Sequence, residues 1–223
     1  MDYADKTLIF VAEYYNLTSM ELKNALRLIY PLSDSAIEEL VDYLVPFSVE
    51  KGSQIVAQGV VARDVFILLE GVLRWYTLVD GIEYTLWFSM PGEVVASMFS
   101  YRHNLPASST IIALTNAHGY SIRMEDLKRL VNSNGEWAQW YINYLEERFF
   151  VLERRQTLLG YGDAQSRYLN FLRARSAATF NNIPLQHIAS YLGMTPQTLS
   201  RIRRNIARDP NLCNGEEFPE TDL

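Results

Sequence analysis

At 223 residues and 48% hydrophobic content, the chain has enough apolar material for a real core and the size of a compact two-part protein. No stretch approaches the roughly 18 uninterrupted apolar residues of a membrane span, and the opening MDYADKTLIFVAEYY lacks a signal peptide's basic start, so cytoplasmic residence without a membrane partner is expected. The single Cys213 excludes an internal disulfide framework and an iron–sulfur cluster held by four cysteines of one chain. The net charge of −6 hides a division along the chain: residues 160–209 carry +5, residues 1–159 carry −7 and residues 210–223 carry −4. A polyanion would be attracted to one end of the molecule and repelled by the other.

Up to Leu44 the pattern is helical. Leu22, Ala25, Leu26 and Ile29 share one face, and Ile37, Leu40, Val41 and Leu44 follow Ser33 and Asp34 as a cap, which predicts two short helices. From Pro46 to Ser121 the texture changes to β-branched and aromatic runs divided by Gly52, Gly59, Gly71, Gly81 and Gly92, the spacing of an antiparallel roll or barrel. VFILLEG, VLRWYTLVDG and EYTLWFSMPG are the clearest strands, and Asp80-Gly81 is a hairpin turn signal.

Ser133-Asn-Gly-Glu136 has the spacing of a capping box, and the segment behind it runs without Gly or Pro to Leu159, a helix of about 37 Å at about 1.5 Å per residue. Ala138, Ile142, Leu145, Phe149, Leu152, Gln156 and Leu159 alternate steps of four and three, the seam of a coiled coil. Trp137, Trp140, Tyr141, Tyr144 and Val151 form a second stripe. Two apolar faces need two partners. The aromatic face is assigned to the roll and the seam, with Ile142, Leu145, Phe149 and Leu152 at its centre, to the same helix of a second subunit; burial of one helix inside one domain is the alternative. Gly160-Tyr-Gly162 then breaks the helix, Asp163 caps the next, and beyond Asp209-Pro210 the acidic tail shows no periodicity and is expected to be disordered.

Residues 185–208, LQHIASYLGMTPQTLSRIRRNIAR, carry the strongest functional signal. Leu185, Ile188, Ala189 and Leu192 share a helix face, Gly193 ends that helix, Thr195 is an N-cap, and Pro196 suits the first helical position of the next. Two helices joined by a tight turn result. In the second, Leu199, Ile202 and Ile206 form the buried stripe, while Gln197, Arg201, Arg204 and Arg208 cluster on the other side. Gln suits the edge of adenine and Arg that of guanine, and further cations hold phosphates. Thr195, Gln197, Ser200, Arg201, Arg204 and Arg208 are therefore the candidate DNA contacts, set against the bland reading of a solvated Arg-rich surface.

This stretch resembles the helix-turn-helix of the Crp/Fnr regulators, the catabolite activator protein family. Glycine-spaced strands, PGEVV, a long helix and the helix-turn-helix follow in that family's order over residues 20–208. The resemblance implies an α+β chain with a cyclic-nucleotide-binding-like β-roll of the double-stranded jelly-roll type, flanking helices, a dimer along the long helix, palindromic double-stranded DNA and RNA polymerase as partners, and control by an effector. Residues 1–132 are read as the helices and β-roll sensor, 133–159 as the dimerisation helix, 160–209 as the helix-turn-helix unit and 210–223 as the tail.

Gly92-Glu93 matches the start of the family's phosphate-binding cassette, in which the Glu holds a ribose hydroxyl and a later Arg neutralises the cyclic phosphate. That Arg is absent: Leu105-Pro-Ala-Ser-Ser-Thr110 stands in its place, after a longer SYRHN loop. Losing a charge-assisted contact to a buried phosphate costs several kcal/mol, so cyclic AMP is not the expected effector and another small molecule is left open. Arg102 substitutes only if its loop folds back, and Ser108 and Ser109 are either pocket donors or plain turn residues. The family's final wing strands are not expected in the acidic stretch after Arg208.

An enzyme on a β-roll needs two or three His and a carboxylate around a metal. The three histidines, His103, His118 and His187, lack H-x-H spacing, so neither catalysis, a metal site nor a certain cofactor is expected. The competing function is a non-catalytic ligand-binding β-roll whose Arg-rich helix makes protein contacts.

Overall fold

The computed structural model describes residues 21–160, 162–173 and 183–208. The opening segment, residues 174–182 and the acidic tail with Cys213 lie outside the described residues. Helices α1 (Leu22–Ile29) and α2 (Asp34–Val41) stand where the periodicity puts them, and Ser33 caps α2 by accepting the Ala36 amide at 3.2 Å.

Eight strands follow: β1 (Val45–Val49), β2 (Gln54–Val56), β3 (Asp64–Glu70), β4 (Leu73–Val79), β5 (Ile82–Ser89), β6 (Val94–Val95), β7 (Thr110–Ala113) and β8 (Ala117–Arg123). They form two antiparallel four-stranded sheets, ordered β1-β8-β3-β6 and β2-β7-β4-β5, packed face to face as a jelly-roll β-roll. Strand β4 turns into β5 through Asp80 and Gly81, both at positive φ (51° and 80°), as a type I′ hairpin requires. Leu68, Leu73, Val95 and Ile111 fill the space between the sheets.

The SYRHN segment is not a plain loop. Helix α3 (Met98–His103) begins at Ser97, whose hydroxyl accepts the Ser100 amide, and ends at Asn104 in the left-handed region. A helix that periodicity did not isolate, α4 (Met124–Ser133), carries Leu127 and Leu130 into the core and leads into α5 (Gly135–Gly160).

The start of α5 corrects the capping-box expectation. Ser133 is the last residue of α4, and the Asn134 side chain accepts the Glu136 amide at 2.9 Å. Glu136 reaches instead to the start of α2, where its carboxylate accepts from the backbone N–H and hydroxyl of Ser33 at 2.7 and 2.8 Å. Those bonds hold its pKa below the ordinary carboxylate value. The partner of the aromatic face is also wider than expected. Trp137 and Trp140 are fully buried, and their indole N–H groups donate to the carbonyls of Ala36 in α2 and Leu26 in α1, so the N-terminal helices share this face with the roll.

Gly162, at φ 82°, separates α5 from α6 (Ala164–Arg173), and Asp163 caps α6 by accepting the Ser166 amide at 2.8 Å. Helices α7 (Leu185–Tyr191) and α8 (Pro196–Arg208) complete the described chain.

Candidate nucleic-acid interface

The turn between α7 and α8 is built from backbone bonds. Met194 N–H donates to Ala189 and Gly193 N–H to Ser190, closing a Schellman motif with Gly193 at φ 64°. Thr195 then accepts the Thr198 amide at 3.1 Å, and Pro196 opens α8. Leu199 and Ile202 are buried against α7 and α6, and Ile206 packs partly beside them.

That burial fixes the opposite face of α8. Gln197, Arg201, Arg204 and Arg208 are all exposed, and Pro196, Gln197, Ser200, Arg201 and Arg204 line one open concavity. Over its first three turns the helix thus presents an amide, a hydroxyl and two guanidinium groups to one surface. No acidic residue lies between Asp163 and Asp209.

The sequence-predicted effector residues do not converge. Gly92 lies in the Pro91-Gly92 turn, its amide donating to Leu68. Glu93 is 1% exposed, and its Oε2 accepts from the Trp87 indole at 3.0 Å and from Arg148 of α5 at 3.3 Å. Oε1 has no hydrogen-bond partner among the described residues. The guanidinium of Arg148 also lies over the rings of Trp87 and Tyr144. Burial pushes the Tyr144 phenol up to about 12, and its hydroxyl donates to the Val94 carbonyl. Sequence reasoning missed Arg148, because a cation 55 positions from Glu93 leaves no local signal.

Arg102 stands exposed near the C-terminal end of α3, and no contact among the described residues joins it to Glu93. Ser108 is exposed, its carbonyl accepting from Thr77, whereas Ser109 is buried. Ala107, in the stretch that stands in place of the family's phosphate-binding Arg, buries its methyl between the sheets and pairs its backbone with Gly59 and Val60. The histidines are scattered: His103 is exposed on α3, His118 meets Glu70 at 3.2 Å, and His187 is half-buried on α7.

Ile142, Leu145, Phe149 and Leu152 form an uncovered stripe on α5, at 46%, 37%, 64% and 59% exposure. Among the described residues no helix is long and apolar enough to cross a membrane.

The architecture is a jelly-roll β-roll joined through one long helix to a helix-turn-helix, and comparison with known proteins places the same fold among regulators. Residues 46–134 match the cyclic nucleotide-binding domain. The nitrogen fixation regulation protein FixK of Bradyrhizobium diazoefficiens is 26% identical over 171 residues, 70% of this chain and 69% of that protein. In fold, the chain is similar to FixK2 from Bradyrhizobium japonicum (TM-score 0.66, 21% identity, 75% of this chain and 86% of that one). It is also similar to the catabolite activator protein of Thermus thermophilus (TM-score 0.52, 21% identity, 83% and 88%). The chain thus carries a cyclic nucleotide-binding domain and is similar to transcription regulators of the Crp/Fnr type.

Proposed function

We propose that this protein is a homodimeric, sequence-specific DNA-binding regulator in which α8 reads each half of a palindromic site. The observation that carries this reading is the division of α8: Leu199 and Ile202 are committed to the core, leaving Gln197, Ser200, Arg201 and Arg204 together on an exposed face. Gln197 and Arg201 lie nearest the helix start and specify bases, whereas Arg208, beyond the groove, positions the helix on phosphate. Thr195 supplies its cap at the same end. Dimerisation uses the stripe on α5, with residues 1–132 as sensor, 133–159 as connecting helix and 160–209 as reader; RNA polymerase is the expected protein partner.

Cyclic AMP does not fit as effector. Glu93, the carboxylate that would meet a ribose hydroxyl, is already paired with Arg148, and among the described residues no ion pair or hydrogen bond brings a cation to Ala107, Ser108 or Ser109. Calorimetry is expected to show weak or no binding; a submicromolar dissociation constant would overturn this part of the reading.

Binding-site selection on the full chain and two variants tests the whole reading. Arg201→Ala is expected to cost roughly 1–3 kcal/mol on the preferred site and to relax preference at one base pair. Arg208→Ala is expected to weaken all sequences equally and to lower the salt slope by about one. Recovery of no palindrome, or an unchanged preference in Arg201→Ala, refutes the assignment. Absence of salt-dependent DNA binding would instead favour a ligand-binding protein whose Arg-rich helix contacts other proteins.

A further inference from the structure

The helix-turn-helix is joined to the roll by more than its connecting chain. Strand β5 is the edge of its sheet, and Ser190 of α7 lies against that edge. Its hydroxyl accepts the Thr85 amide at 2.9 Å and donates to the Glu83 carbonyl at 3.3 Å. One side chain thereby meets a donor and an acceptor that a further strand would otherwise have taken. Beside it the buried Tyr191 packs on Phe88 (5.5 Å between centroids), Trp87 (6.2 Å) and Phe171 (5.6 Å), with the Arg155 guanidinium 5.0 Å from its ring centre. One apolar cluster runs from Val72, Phe88 and Met90 of the roll to Ile188, Leu192 and Leu199 of the reader. In this docked arrangement Gln197, Arg201 and Arg204 stay exposed, so docking and DNA contact are compatible.

Apolar packing fixes how close two bodies lie, whereas a hydroxyl bridging two backbone groups is directional and fixes their rotation. We infer that Ser190 and Tyr191 are positioning residues, holding the helix-turn-helix at one angle on the β5 edge and so setting the half-site spacing that the dimer accepts. The inference rests on the dimeric DNA-binding reading. In that dimer each recognition helix is placed by a chain of rigid contacts from the α5 seam through the roll to β5, α7 and α8. A stiff last joint permits one spacing, and a loose one permits several.

The test measures the affinity of the full chain for duplexes carrying its two selected half-sites at the preferred spacing and at one and two base pairs more or less. Wild type is expected to favour one spacing by about tenfold or more. S190A and Y191L are expected to reduce that preference to within about threefold with affinity for a single half-site little changed, and S190A also leaves the melting temperature little changed. S190T, which keeps the hydroxyl, retains the wild-type preference. Should Y191L fail to fold, the S190A and S190T pair decides alone. An unchanged spacing preference in S190A overturns the inference while leaving DNA reading intact; a wild type that selects no DNA removes the reading beneath it.

Discussion

A Cβ added at Gly119 would stand 2.0 Å from the carbonyl oxygen of Ile67, because β8 crosses β3 closely where the register shifts between Leu68 and Glu70. Backbone cannot yield there as a flexible side chain could. Gly119→Ala is expected to cost about 1–3 kcal/mol by overpacking, read as a lower midpoint in thermal denaturation. By contrast Gly52, Gly59 and Gly81 stand in open turns, where an added methyl meets nothing within 4 Å. Spacing along the chain made those turn glycines legible and left Gly119 unmarked, since its constraint comes from a neighbouring strand. The candidate DNA contacts were legible for the converse reason: which side of α8 is exposed follows from the periodicity of Leu199, Ile202 and Ile206 alone.

At the scale of elements, α5 has one face filled and one face bare. Trp137 and Trp140 are buried against the N-terminal helices and the roll, while Phe149 and Leu152 on the other side remain well over half exposed. Apolar side chains in a 4-3 pattern seek an equivalent surface, and a twofold axis along the helix supplies one. Phe149→Glu would put a carboxylate in the middle of that seam. Sedimentation is expected to show a wild-type dimer at tens of micromolar and a monomeric variant with the same melting behaviour of the roll; a monomeric wild type would refute the seam.

For the molecule as a whole, docking of the helix-turn-helix on the roll is expected to be sensitive to acid. Burial and then the positive charge of Arg74, partly offset by Glu83, lower the His187 pKa to about 4. Arg74 faces it from β4, paired with Glu83 at 2.6 Å and with Thr85 at 2.9 Å. The unfolded or undocked imidazole titrates near 6.5 and so binds its proton more strongly than the docked one. Docking is therefore fully supported above about pH 6.5 and weakens as pH falls towards 4. Protection of the Thr85 amide from hydrogen exchange, which the Ser190 hydroxyl provides, is expected to fall over that range in wild type and much less in His187→Gln. An equal fall in both would assign the effect to other groups.

Local chemistry made much of this protein readable from its residues in order. The Ser33, Asp163 and Thr195 caps, the Asp80-Gly81 turn and the Gly193 break each depend on atoms within about one helical turn or one hairpin, so spacing is sufficient to reveal them. The capping-box expectation at Ser133 failed because that same local spacing was open to competition: Ser133 closes α4, and Glu136 finds a better donor pair 103 positions away at Ser33. The Glu93–Arg148 pair spans 55 positions and the Ser190–Thr85 bond spans 105. What a buried carboxylate pairs with, and which strand edge a hydroxyl closes, depends on desolvation and approach of surfaces that exist only after the roll, the long helix and the reader have packed together.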